Sequence, residues 1–112
     1  MNYNSKIEAS QILNKIFQEQ KVMDNEGKSV KLNSNVDEKE GEFIKNIIIE
    51  NRYNKSIEIG CAYGISSLFI CDALSRNQNP SHHIIDPYQT TDWKGIGLGN
   101  LKQAGFNFFK HI

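Results

Sequence analysis

The stretch from Ser56 to Asp86 limits the possible folds more than any other part of the chain. It opens with SIEI, a short strand-like run, and breaks at Gly60. After Gly64 comes ISSLFICDAL, apolar almost throughout, as suits a helix wedged against a sheet. RNQNPS then reads as a turn, HHIID as a second strand, and Pro87 as its stop. Strand, helix and strand within about thirty residues make a βαβ unit, whose crossover sets the two strands parallel. The pattern predicts an α/β fold.

Two helices are expected upstream. Ser5 and Glu8 stand at capping-box spacing, and Ala9, Ile12, Leu13, Ile16 and Phe17 recur on one helical face. Asp37 and Glu40 repeat that spacing ahead of a stripe of Phe43, Ile44, Ile47 and Ile48. Gly41 costs that helix roughly 1 kcal/mol against alanine, so it marks either close packing or a later helix start. Between the helices, DNEGKSVKLNSN (24–35) reads as a loop that SVKL could interrupt as a short strand. Downstream, LGNLKQAG predicts a short helix stopped by Gly105, and FNFFKHI a third strand.

Parallel sheets are buried on both faces and protected at their edges, which two or three strands cannot achieve alone. The expected architecture is therefore an incomplete Rossmann-like parallel sheet with flanking helices. Residues 1–55 form a helical lead, and residues 56–112 the start of a ligand-binding domain. Either the chain is the front portion of a larger domain, missing its carboxyl-terminal half, or a partner chain completes it.

Composition narrows the partners. Thirteen basic and thirteen acidic side chains cancel, leaving no global field to gather nucleic acid or anionic lipid. No apolar run approaches the ~20 residues of a membrane span, and MNYNSKIEAS lacks the features of a secretory signal. Cys61 and Cys71, without CxxC spacing, read as buried free thiols of a reducing compartment. The cytoplasm is the default location.

The chemistry concentrates at the strand ends. Gly60 allows a tight turn, Gly64 lets a ligand approach the backbone, and the following helix start offers free amides to an anion. Glu58 is placed to meet a positive group or to brace the loop amides. Asp86, at the end of the next strand, can accept two hydrogen bonds from a ribose diol. A nucleoside bearing an amino-acid group would use all of these contacts.

EIGCAYGIS resembles the first motif of class I S-adenosylmethionine-dependent methyltransferases, in the acid-x-Gly-x-x-x-Gly-x-Ser form of small-molecule O-methyltransferases. VDEKEGEFIKNIIIENRYNKSIEIG looks like the helix leading into that motif, and HHIIDPYQ like the second motif, so the likeness covers residues 36–105. It implies that Glu58 and Gly60 line the methionine end of S-adenosylmethionine, with Cys61 and Ala62 in the same cofactor-binding loop. Gly64 would permit close packing, Ser66 would bind the ligand carboxylate, and Asp86 the ribose, with Pro87 or Tyr88 beside the adenine. Many methyltransferases carry glycine where Ala62 stands, but the O-methyltransferase-like branch commonly does not. The implied acceptor is a small molecule, methylated on oxygen.

Competing readings differ in what they require. A purely structural one has Glu58 cap a loop, Gly60 and Gly64 serve a tight crossover, and Asp86 cap a turn. A nicotinamide-binding oxidoreductase needs G-x-G-x-x-G, and Ala62 and Tyr63 depart from it. A noncatalytic nucleoside-binding or docking module, or an inactive fragment, remains compatible with the short sheet. GIGLGN (95–100) lacks a preceding strand and reads as a flexible connection into a helix, with room for a gating role. His82 and His83 point to opposite faces, which argues against a shared metal, and Asp92, Asp86 and Glu58 lack the grouping of a cation site. Trp93 and Tyr88 could floor an adenine pocket or simply pack. No residue stands out as a general base.

Overall fold

A computed structural model describes residues 8–112. Helix α1 spans Ala9–Glu19, followed by a hairpin of β1 (Lys21–Met23) and β2 (Ser29–Lys31), then α2 (Glu38–Asn51). The βαβ unit is β3 (Lys55–Ile59), α3 (Ile65–Leu74) and β4 (Ser81–Ile85), and α4 (Ile96–Gln103) leads to β5 (Phe109–His111). Strands β3, β4 and β5 lie side by side in that order, both pairs parallel. The fold is α/β, a partial Rossmann-like sheet with flanking helices, as the glycine-broken pattern predicts.

The amino end of α2 is built as expected. Asp37 Oδ1 accepts the Glu40 amide at 2.8 Å, and Glu40 Oε1 accepts the Asp37 amide at 3.0 Å. Of the two explanations for Gly41, close packing holds. A Cβ there would sit 2.1 Å from Cε2 of Phe69, so the missing side chain lets α2 lie directly on the α3 ring. That contact also corrects the expected stripe. Gly41 and Ile48 are buried, while Phe43 and Ile47 are exposed. Both apolar lines have helical spacing, but Phe43 and Ile47 lie on the flank turned away from α3.

At the amino terminus, Ser5 lies outside the described residues, and α1 starts at Ala9 after Glu8, which makes no side-chain cap. The expected buried face holds for Ala9, Ile12, Leu13 and Ile16. The segment read as a loop is partly a hairpin. Asp24 Oδ1 accepts the amides of Glu26 and Lys28, each at 2.9 Å, and turns the chain between β1 and β2. Strand β1 escapes sequence reading because three residues with one buried side chain, Val22, are too short to show an alternation.

The main core joins α1, α3, α4 and the sheet, while Ile48 of α2 packs in a second, smaller cluster with Ala73 and Leu74 of α3. Leu68 of α3, Ile84 of β4 and Leu101 of α4 are fully buried in the main cluster, which also holds Ile12 and Ile16 of α1. The helical side of the sheet is therefore packed. On the other side Ile57 and Ile59 of β3 are exposed, in register with His83 and Ile85 of β4. Among the described residues, no strand pairs with the free edge of β3. No described helix is long and apolar enough to cross a membrane.

Candidate cofactor site

Open parallel sheets bind ligands outside the carboxyl ends of their strands. The loop after β3 occupies that position. Gly60 has φ +83° and Gly64 φ +81°, both in the region that disfavours side chains. Gly60 lines a cleft of about 350 Å³, together with Cys61, Ala62 and Ser66. The opposite wall comes from Ser34–Val36 and Glu40. A Cβ on Gly60 would meet no protein atom within 4 Å, so that side of the loop is open. A concavity of about 530 Å³ lies at the other end, around Arg52 and Arg76, beside the amino ends of the strands. Larger volume does not make it the better candidate, because neither the glycine loop nor a helix start faces it.

Glu58 points from β3 toward α3. Both Ser66 and Ser67 donate their hydroxyls to its carboxylate. His82 Nε2 lies 3.2 Å from Glu58 Oε1, and its Nδ1 lies 2.7 Å from Ser56 Oγ. As the alternation requires, His82 is fully buried and His83, on the opposite face, is half-buried. Polar groups thus run in a chain beneath the glycine loop, anchored by the second and third residues of α3.

Asp86 closes β4 beside Gly60, whose amide donates to Ile85 O at 2.8 Å. The two acids end neighbouring parallel strands, but Asp86 is only 3% exposed. Its Oδ2 accepts the amides of Cys61 at 3.0 Å and Ala62 at 3.2 Å, and the Gln89 side chain at 3.1 Å. Its Oδ1 accepts the Tyr88 amide at 3.1 Å. Burial alone would raise this carboxyl, yet the donors outweigh it and hold the group below the usual carboxylate range. Asp86, and not Glu58, braces the loop amides, and its bond from the Tyr88 amide also caps the following turn, as the purely structural reading has it. Pro87 and Tyr88 are exposed beside it. Trp93 instead packs its ring edge-on to Tyr63, with centroids 5.1 Å apart.

Three contacts around the loop escape the sequence. Tyr63 Oη accepts the Asn33 amide at 3.1 Å and ties the loop to the segment before α2. Gln89, fully buried, bonds both the loop and α4. GIGLGN is the third and is a correction. It is no flexible connection, because α4 begins at Ile96 and Gly97 is buried against the loop. A Cβ on Gly64 would sit 2.8 Å from Gly97 Cα. Only a glycine-on-glycine signal could have revealed this, and sequence spacing does not carry one. The cysteines match expectation, free and buried, and burial pushes the Cys61 thiol up to about 12.

Solved structures share this fold. An O-methyltransferase from Streptomyces achromogenes involved in tomaymycin synthesis, in complex with SAM, superposes with TM-score 0.64 at 13% identity, over 99% of this chain and 43% of its own. The O-methyltransferase from Bacillus cereus in complex with SAH gives TM-score 0.61 at 16% identity, over 70% and 34%. A methyltransferase from Podospora anserina bound to SAH gives 0.60 at 17% identity, over 70% and 32%. The chain has a class I methyltransferase-like fold. It spans about a third to two fifths of the length of these neighbours. No protein-family model matches the sequence, and no curated protein matches it.

Proposed function

We propose that the chain binds S-adenosylmethionine in the cleft at Gly60–Ser66 and serves as the cofactor-binding front part of a methyltransferase acting on oxygen of a small molecule. The observation that carries this is the open glycine loop at the carboxyl end of β3, facing the start of α3. Neighbours solved with SAM and SAH support the ligand class. The residues fit such a ligand: Gly60 leaves room, and the α3 amino end suits a carboxylate. Glu58 and Ser66 border the methionine end, with Cys61 and Ala62 as the loop floor and Gly64 as its tight corner. Pro87 and Tyr88 flank the adenine. Asp86 acts on the ribose side chiefly by holding the loop amides.

When bound, the cofactor supplies an electrophilic methyl group. The chain's own part is alignment and charge placement. Residues 1–55 act as the helical lead and 56–112 as the start of the cofactor domain. The exposed Ile57 and Ile59 face is where a partner chain or the remaining half of the fold would lie. Free buried thiols fit a cytoplasmic setting. A second reading, a noncatalytic nucleoside-binding module, would use the same open cleft at the glycine loop.

Calorimetric titration of the purified chain with SAM, SAH and NAD tests the ligand class. Binding of SAM and SAH is expected, and binding of NAD alone overturns the proposal. Methyl transfer to catechol or carboxylate acceptors then separates the two readings.

A further inference from the structure

Ala62 has φ +50°, a left-handed conformation that is strained for a residue with a Cβ. Both polar groups of its backbone are held. Its amide donates to Asp86 Oδ2 at 3.2 Å, and its carbonyl accepts from Gln89 Nε2 at 3.1 Å. The same Gln89 nitrogen donates to Asp86 Oδ2 at 3.1 Å. On its other end, Oε1 accepts the amides of Gly97 at 2.7 Å and Leu98 at 3.2 Å. A glutamine amide has two donor hydrogens and two acceptor lone pairs, and all four are used. The orientation is fixed by chemistry, since Ala62 O and Asp86 Oδ2 can only accept while the two amides can only donate.

Those two amides belong to the first turn of α4, where the helix itself leaves donors free. Gly95, the residue before α4, makes no side-chain cap. Gln89 caps the helix from outside and, with the same planar group, grips the strained peptide of the cofactor loop. Beside that bridge the loop and the helix start approach closely. A Cβ on Gly97 would sit 2.5 Å from Cys61 Sγ and 2.7 Å from Ala62 O.

We infer that Gln89 is a positioning residue of the cofactor loop: through Ala62 and Asp86 it fixes the loop's left-handed shape to the start of α4. For its ligand readout this rests on the proposed function, but the loop geometry can be read without ligand.

The test uses Gln89→Met, which removes all four bonds, and Gln89→Glu, which keeps the acceptor and sets a carboxylate against Asp86. Backbone amide exchange is followed by NMR, with SAH affinity by calorimetry. Gln89→Met is expected to speed exchange at Cys61, Ala62, Gly97 and Leu98 by about tenfold or more, the loss of one or two hydrogen bonds, with a smaller change in β4. Gln89→Glu is expected to split the pattern, sparing Gly97 and Leu98 while exposing Cys61 and Ala62. SAH should bind both variants at least about tenfold more weakly than wild type.

Unchanged exchange at Cys61 and Ala62, or equal acceleration everywhere, overturns the inference. So does failure of both variants to fold, which would make Gln89 a general core residue. If wild type does not bind SAH, the proposed function fails, and the exchange pattern still decides the part played by Gln89.

Discussion

Gly97→Ala should destabilise the chain although helix propensity says the reverse. Alanine gains about 1 kcal/mol over glycine inside a helix, and Gly97 lies in the first turn of α4. Its added methyl, however, would sit 2.5 Å from Cys61 Sγ, 2.7 Å from Ala62 O and 3.1 Å from Gln89 Oε1. Overpacking costs about 1–3 kcal/mol, and the upper end applies here because a backbone carbonyl and a buried thiol cannot swing aside. The net expectation is a loss of about 1–2 kcal/mol, or roughly five- to thirtyfold in the folded ratio. Gly99 supplies the control. It lies in the same helix, and a Cβ there meets nothing within 4 Å, so Gly99→Ala should gain up to about 1 kcal/mol. Urea unfolding followed by the fluorescence of Trp93, the sole tryptophan, reads both variants. If Gly97→Ala proves as stable as Gly99→Ala, α4 does not press on the loop and the close approach is wrong.

Two further expectations concern titrating groups. The Asp86 carboxyl is held below its unfolded value near 4, so its stabilisation is complete above about pH 4 and disappears as pH falls through the folded value. Asp86→Asn should therefore lose stability at neutral pH and show a shallower decline in acid than wild type; parallel acid limbs would refute the bracing role. With the Cys61 thiol at about 12, iodoacetamide at pH 8 should label it roughly a thousandfold more slowly in the folded chain than in urea. Labelling at the free-cysteine rate would show that the loop opens readily.

The βαβ unit was legible because its signals are local: β-branched runs, glycine breaks, an apolar helix and a proline stop. The α2 cap was legible for the same reason, since Asp37 and Glu40 satisfy each other within one turn. Choosing between the Ile44–Ile48 and Phe43–Ile47 lines was not local. It depended on where Phe69 lies, and only Gly41 hinted at the answer. GIGLGN misleads for a related reason. Glycines that loosen a chain and glycines that admit a close neighbour look identical in sequence, and contact with Cys61 and Ala62 decides which these are. Asp86 was correctly placed at a strand end, but its hydrogen-bond partners come from residues 61, 62, 88 and 89, a convergence that spacing alone does not disclose.

The uncovered isoleucines of β3 have a practical consequence. Ile57 is 66% exposed and Ile59 83%, on a sheet whose reverse side carries the well-packed network of Glu58 from β3 and His82 from β4. Dyes such as anilinonaphthalene sulfonate brighten on accessible apolar surface and are commonly taken to report a molten state. Here the fully packed chain offers such a surface, so bright dye emission would accompany sharp near-ultraviolet dichroism, and only the second signal would track unfolding.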